Sequence, residues 1–294
     1  MKRLKIYLNQ LEEKTDKTIY LSIFRVYIAI HIIKKMFFAL PILNLIYGKE
    51  NFIILSSTDV FECLNLIFFR DHIYVIVYCI LILSVLLLFG IGKNLTVLFL
   101  YILIEIIQRL NPYHLNGGDN LLKFILLYLC FIDCYSYFCV KNSARNSLIN
   151  NTITNLGIIS IQFHLCLIYF VTGLHKTHAD VWFNGIATYY TLSLERFQGT
   201  SLNAILAKNG WFVTITTYFT VFWELTFPFF IFNKKFRLFA ITGGLIVHLF
   251  IYIFMMIHDF QILYIMVYGL FYRDCDFKKI INYFKIKKHE IKLS

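Results

Sequence analysis

The sequence predicts an all-α protein, a polytopic bundle of transmembrane helices. Of its 294 residues, 59% are hydrophobic and 15% are charged, and it contains 31 phenylalanines and 20 tyrosines. Mean hydropathy is +0.67, so a water-soluble domain could not cover its surface with polar groups. Several apolar runs approach the roughly 20 residues that cross about 30 Å of hydrocarbon. Lysines and arginines lie in short segments between these runs, which indicates membrane topology and lipid headgroups and not nucleic acid.

We predict about eight spans within a transmembrane domain that covers residues 19–272. Residues 1–18 form a polar, amphipathic cytoplasmic segment without the apolar core of a cleaved signal peptide, and residues 273–294 form a basic cytoplasmic tail. The predicted spans are Ile19–Leu40, Ile73–Phe89, Leu95–Leu110, Leu121–Val140, Ile153–Leu174, Gly210–Phe232, Leu238–Ile257 and Phe260–Phe271.

The first span carries four basic side chains that are costly in a bilayer: Arg25, His31, Lys34 and Lys35. The two lysines can extend to the headgroups from one end, whereas Arg25 needs a partner or the cytoplasmic headgroups. After this span, residues 42–72 read as an outer segment. It contains a capping signal for a short helix at residues 56–59.

Several later segments carry polar groups. In the third span, Glu105 and Arg109 are spaced to pair on one helix face. A polar, Gly-rich break, residues 111–120, follows it. The segment Trp182–Arg196 reads as one amphipathic helix on the membrane surface. The seven cysteines have no regular spacing, so we expect buried thiols and neither a disulfide framework nor a metal cluster.

The distribution of basic residues predicts the orientation. With the N-terminus inside, 18 lysines and arginines fall in the loops and termini on one side and six on the other. The positive-inside rule therefore places both termini in the cytoplasm of a multi-pass protein of the cytoplasmic membrane. Three polar segments, containing His114, His175 and His258, then lie at the outer face. We expect them to meet at a polar cavity that opens outward.

Lys176 is the first candidate for chemistry at this face. A lysine at the outer end of a span is commonly a headgroup anchor. Its neighbours His175, His178 and Asp180 suggest another role, because a lysine removed from water beside cationic groups gives up its proton readily and can act as a base. A metal site formed by the two histidines and Asp180 is a weaker alternative, since the helical ligand spacing is missing.

The run Tyr169–Lys176 followed by Trp182–Tyr190 resembles the signature of the HTTM superfamily, the membrane domain shared with vitamin K-dependent gamma-carboxylases. Residues 116–119, 224–228 and 255–260 with His248 are also similar to that family. The resemblance covers roughly residues 20–275, and Tyr189-Tyr190 is most similar to the SdpB (sporulation-delaying protein B) branch, whose members accompany export and maturation of secreted peptide toxins.

This resemblance implies a function and a set of site residues. By position, Lys176 matches the lysine that deprotonates vitamin K hydroquinone in the carboxylases, so a reduced quinone is the implied cofactor. The implied partners are the lipid bilayer, a secreted peptide, and its export or maturation proteins. A non-enzymatic lipid- or peptide-binding partner and a transporter remain alternatives. The candidate catalytic residues are Lys176, His175 and His114, and the candidate substrate-binding residues are Asn116, Asp119, Asp180, Trp182, Glu224 and His248.

Overall fold

The computed structural model describes residues 11–13, 15–51, 66–141 and 147–279. All regular secondary structure in these ranges is helical, which confirms the all-α class. The chain divides into two compact units. The first comprises Met1–Ser160 with Tyr272–Ser294, and the second comprises Ile161–Phe271. The predicted helix after residues 56–59, the loop cysteine Cys63 and most of both terminal segments lie outside the described residues.

The helices of the first unit follow the apolar runs of the sequence. They are α1 (Thr18–Ala39), α2 (Leu43–Ile46), α3 (Leu66–Asp71), α4 (Ile73–Leu88), α5 (Asn94–Leu110) and α6 (Gly117–Leu129). Helix α1 packs against α4, α4 against α5, and α5 against α6. The side chains between them are buried aliphatic and aromatic groups, among them Phe24, Ile28, Leu87 and Leu100.

Arg25 is fully buried at the centre of the first unit, and backbone carbonyl groups satisfy its guanidinium group. Its Nη1 donates to the carbonyls of Leu87 and Leu88 at the end of α4. Its Nε donates to the carbonyl of Cys134 at 3.3 Å, and Nη2 donates to those of Tyr137 and Phe138 at 3.2 and 2.8 Å. The partner that the sequence requires for Arg25 is therefore protein backbone and not the lipid headgroups.

The predicted fourth span, Leu121–Val140, is wrong in its second half. Helix α6 ends at Leu129, and residues 130–140 contain no regular helix. Three carbonyl groups of this stretch bind Arg25, and the Asp133 carboxylate accepts a hydrogen bond from the backbone N–H of Tyr135. Because these groups bond to side chains, the apolar run does not continue as a helix.

Ion pairs bear on two other predictions for this unit, the pairing of Glu105 with Arg109 and the position of the Lys35 side chain. Glu105 pairs with Arg109 at 2.8 Å, as predicted, and also lies 3.4 Å from Lys123. Lys35, in contrast, does not extend to the headgroups, because its ammonium group forms an ion pair with the buried Asp119.

An acidic residue near the C-terminal end of the described chain caps the first helix. Thr18 Oγ1 donates to Asp274 Oδ2 at 2.8 Å, and the backbone N–H of Ile19 donates to the same carboxylate. The first turn of a helix has free N–H groups and a positive dipole end, so a carboxylate there is stabilising. The beginning of α1 is thereby tied to residue 274.

The second unit begins within α7 (Leu148–Thr177), a helix of 30 residues whose first part belongs to the first unit. The remaining helices are α8 (Asp180–Phe183), α9 (Ala187–Ser193), α10 (Leu202–Lys208), α11 (Gly210–Ile231), α12 (Arg237–Phe254) and α13 (His258–Tyr268). Helix α12 packs against α11 and α13. Trp223 and Phe227 of α11 are almost completely buried.

The prediction of a single amphipathic helix over Trp182–Arg196 is wrong. Helix α8 ends at Phe183, and α9 begins at Ala187. Between them Gly185 has a φ of +71°, a conformation that glycine adopts without a steric penalty. The Tyr218 ring would also lie 3.0 Å from a Cβ atom at this position. The chain therefore turns at Gly185, with Tyr218 Oη donating to the Phe183 carbonyl.

Three helical segments of the described chain are long and apolar enough to cross a membrane: Thr18–Ile46, Leu148–Thr177 and Arg237–Phe254. The first of them contains the predicted span that carries Arg25. Ile73–Leu88 is apolar but shorter. Helices α5, α11 and α13 also coincide closely with predicted spans, whereas α6 covers only part of the predicted fourth span. The number of spans stays a prediction.

Cysteine labelling tests the predicted orientation. Ser201 lies in a segment predicted to be outside and Ser143 in one predicted to be inside. In intact cells, a membrane-impermeant maleimide should modify Ser201→Cys and should reach Ser143→Cys only after permeabilisation. Labelling of Ser143→Cys from outside would reverse the orientation.

Candidate functional site

The second unit contains a cavity of about 460 Å³ with a mostly aromatic and aliphatic wall. Polar groups on the wall include Lys176, Glu224, His248 and several threonines. A cavity that is largely apolar and has a few converging polar groups is the usual form of a small-molecule site. The aromatic residues on its wall are Tyr169, Trp182, Phe212, Phe219, Trp223, Phe250, Phe260 and Tyr264.

Lys176 and Glu224 form an ion pair on the cavity wall. Lys176 lies in the last turn of α7, and its Nζ is 2.5 Å from Glu224 Oε1 on α11. The lysine side chain is 22% exposed and the glutamate side chain 10%. Lys176 Nζ also lies 4.5 Å from the centroid of the Trp182 ring, a distance at which the π-system attracts a cation. Lys176, the predicted base, therefore contacts Glu224 and Trp182, two of the predicted substrate-binding residues.

Gly173 explains how Glu224 reaches Lys176. A Cβ atom at residue 173 would lie 3.0 Å from the side chain of Leu225 and 3.2 Å from Glu224 Cβ. The absence of a side chain therefore lets α7 and α11 approach closely, one turn before the lysine. This contact gives the glycine of the Tyr169–Lys176 run a packing role.

A second polar cluster surrounds the predicted residue His248, which lies on the same wall together with Tyr169. Tyr169 Oη is 2.6 Å from His248 Nε2 and 2.7 Å from Tyr268 Oη, and His248 Nδ1 bonds to Gln261 Oε1. All four residues are buried. Gln261 and Tyr268 were missed from the sequence, although a glutamine in an otherwise apolar helix was a usable signal.

Trp223 and two glycines hold this cluster in place. Trp223 Nε1 donates to the carbonyl of Ala240 at 2.9 Å, and the indole packs on Gly243 and Gly244 of α12. A Cβ atom at residue 244 would lie 2.7 Å from Trp223 Cζ2 and would also contact the Tyr268 hydroxyl. Both rings have buried surroundings, so neither can move aside freely.

Gly244→Ala should therefore destabilise the protein by about 1–3 kcal/mol, the usual effect of overpacking a core. Gly210→Ala is the matched control, because no atom lies within 4 Å of its added methyl group. Thermal unfolding in detergent should separate the two variants. Equal midpoints would contradict the tight packing at Gly244.

The other predicted residues do not line the cavity. His175 and Asp180 are exposed, and His178 is exposed with its Nδ1 3.0 Å from the Leu174 carbonyl oxygen. Among the described residues, no group of three metal-ligating side chains is assembled.

His114, Asn116 and Asp119 belong to the first unit. Asn116 Oδ1 accepts hydrogen bonds from the N–H groups of Gly118 and Asp119, and the Asp119 carboxylate accepts one from the N–H of Asn116. This reciprocal capping box begins α6. His114 is exposed, and its ring meets Tyr47 edge-on at 5.9 Å. Their contact with a substrate stays a prediction.

The sequence matches the HTTM domain family over residues 13–275. This range includes the cavity, the Lys176–Glu224 pair and the cluster around His248. No curated protein and no solved structure matches the chain. Because the family match extends over most of the 294 residues, this helical membrane protein belongs to the HTTM domain family.

Proposed function

We propose that the protein is a membrane enzyme that removes a proton from an apolar, hydroxyl-bearing molecule in the cavity of its second unit. The observation that supports this most directly is the Lys176–Glu224 ion pair on a wall of aromatic rings. An ion pair in apolar surroundings adds little net stability to a fold, because removing both charges from water costs about as much free energy as their attraction supplies. Titratable groups that converge on a cavity are typical of sites for proton transfer.

The residues on the cavity wall fit the reduced quinone that the resemblance to gamma-carboxylases implies. The rings of Trp182, Trp223 and Phe260 would hold its flat apolar body, and Lys176 with Glu224 would face its hydroxyl group. When bound, such a cofactor supplies a weakly acidic hydroxyl group and reducing power. The chain contributes orientation, exclusion of water, and groups that accept a proton.

The biological role in our proposal is the modification or maturation of an exported peptide, as in the SdpB-type proteins that the sequence resembles. An alternative is a non-enzymatic lipid- or peptide-binding partner. In such a protein, binding would depend on the shape and apolar surface of the cavity. The ability of Lys176 to release and accept a proton would not matter. A transporter is the other alternative, and no inverted repeat is visible in the sequence to favour it.

Ligand binding tests the cavity. Quenching of tryptophan fluorescence by a reduced naphthoquinone should saturate in a Trp211→Phe protein, because the other two tryptophans, Trp182 and Trp223, line the cavity. Thr220→Phe should reduce binding about tenfold or more, since Thr220 lies on the wall and a phenyl group fills the space.

Thr226→Phe is the matched control. Thr226 lies on the same helix but not on the cavity wall, so its variant should bind normally. Equal binding by both phenylalanine variants would place the ligand elsewhere.

A further inference from the structure

Glu224 has an acceptor atom that the ion pair does not use. Its Oε1 accepts the hydrogen bond from Lys176, whereas no donor in the described part of the chain reaches its buried Oε2 with regular hydrogen-bond geometry, although the Thr172 hydroxyl interacts with the carboxylate. The residue is 7% exposed and contributes to the cavity wall. A buried carboxylate with one oxygen unpaired lacks part of the hydrogen bonding that stabilises its negative charge.

His248, another titratable group on this wall, is differently placed. Both of its ring nitrogens are engaged, one by the Tyr169 hydroxyl and the other by Gln261. A proton arriving at His248 Nε2 would have to reverse the hydrogen bond with the Tyr169 hydroxyl. Glu224 accepts an additional proton without such a rearrangement.

We propose that Glu224 is the final acceptor of the proton taken from the cavity ligand, with Lys176 as the relay. This inference rests on the proposed function and adds a second catalytic residue to it. The existing Nζ–H···Oε1 hydrogen bond is the path. An ammonium group has no lone pair, so Lys176 can act as a base only after it has given a proton away.

The transfer then has two balanced parts. First, one Nζ–H bond breaks and an Oε1–H bond forms, which leaves a neutral amine and a neutral carboxylic acid. Second, the amine lone pair takes the proton of the ligand hydroxyl group, and the electron pair of that O–H bond stays on the ligand oxygen.

The net charge of the pair with its ligand is the same before and after the transfer. At the start the ammonium faces the carboxylate, and at the end it faces the new oxyanion. No isolated charge forms in the apolar cavity, where it would be strongly disfavoured. A lysine without Glu224 could not keep this balance.

A chromophoric phenol tests the proposal without the natural ligand. The probe is 4-hexyl-2-nitrophenol, whose phenolate absorbs visible light, and it is used well below the pH at which it ionises in detergent. With the wild-type protein we expect bound phenolate and no release of protons into a weakly buffered solution, since Glu224 retains the proton. Infrared difference spectra should show a new protonated-carboxyl band.

Glu224→Gln should bind the probe without forming phenolate, because glutamine cannot take the proton from Lys176. Glu195→Gln is the control, since this exposed residue is not on the cavity wall and the variant should behave as wild type. Binding of the methyl ether of the probe, followed by tryptophan fluorescence, reports an intact cavity in both variants.

The possible outcomes distinguish the role of Glu224 from the proposed function. Phenolate in the Glu224→Gln variant, or wild-type phenolate without a protonated-carboxyl band, overturns the role of Glu224 and leaves the proposed function standing. A wild-type protein that forms no phenolate overturns the proposed function together with this inference. The infrared result on the wild type decides the question even if the glutamine variant does not fold.

Discussion

Lys176→Arg should abolish the modification of the exported peptide while the protein accumulates normally in the membrane. Arginine keeps the positive charge and also extends to the membrane surface, so an anchoring function would survive. A guanidinium group does not give up its proton at physiological pH. Loss of a general base commonly lowers a rate by a factor of about 10²–10⁴. Mass spectrometry of the exported peptides, normalised to the membrane level of each variant, measures the effect.

Lys208→Arg provides the control, because Lys208 ends the short helix α10 and is not on the cavity wall. Its peptide should be modified as in wild type. A Lys176→Arg protein with normal activity would remove the enzymatic proposal. The cavity would then be interpreted as the binding site of a non-catalytic partner.

Replacement of Arg25 should have the largest effect on folding. In Arg25→Met, five carbonyl groups lose the guanidinium as donor. Those of Leu87, Cys134 and Tyr137 keep a second donor, whereas those of Leu88 and Phe138 depend on Arg25. A buried acceptor without a partner costs about 1–3 kcal/mol, while a whole domain is stable by only about 5–15 kcal/mol. We expect almost no folded protein, measured as membrane level and as the monodisperse fraction in detergent.

Arg25→Lys should be intermediate, because an ammonium group has three N–H donors where the guanidinium group has five. Arg196→Met is the control, since Arg196 is exposed beside Phe197 and its loss leaves no buried carbonyl unpaired. Similar levels of Arg25→Met and Arg196→Met would show that the carbonyl cluster is not essential for folding.

Hydrophobic runs were sufficient to predict most of the helices, and long-range polar contacts explain where they were not. The apolar sequence of residues 130–140 gives no sign that α6 ends at Leu129, because the cause is an arginine about a hundred residues earlier. The turn at Gly185 was missed as well, although its signal is local, since glycine is the one residue that readily adopts its conformation.

The candidate site was only partly predictable for a similar reason. Lys176 was identified from its titratable neighbours and from the resemblance to the HTTM family, and Trp182, Glu224 and His248 were identified from that resemblance. All four line the cavity. The pairing of Lys176 with Glu224 joins residues 48 positions apart. No local pattern encodes such a contact, which depends on the close approach of two helices at Gly173.

The cap that Asp274 places on α1 also limits how the chain can be threaded through a bilayer. Thr18 and Asp274 are in hydrogen-bond contact, so they lie at the same level of the membrane and on the same side of it. A path that leaves one face and returns to it must cross an even number of times. If the three segments that qualify as spans by length and hydropathy all cross the membrane, at least one further crossing must lie elsewhere between residues 18 and 274, because an odd number would place these two residues on opposite sides.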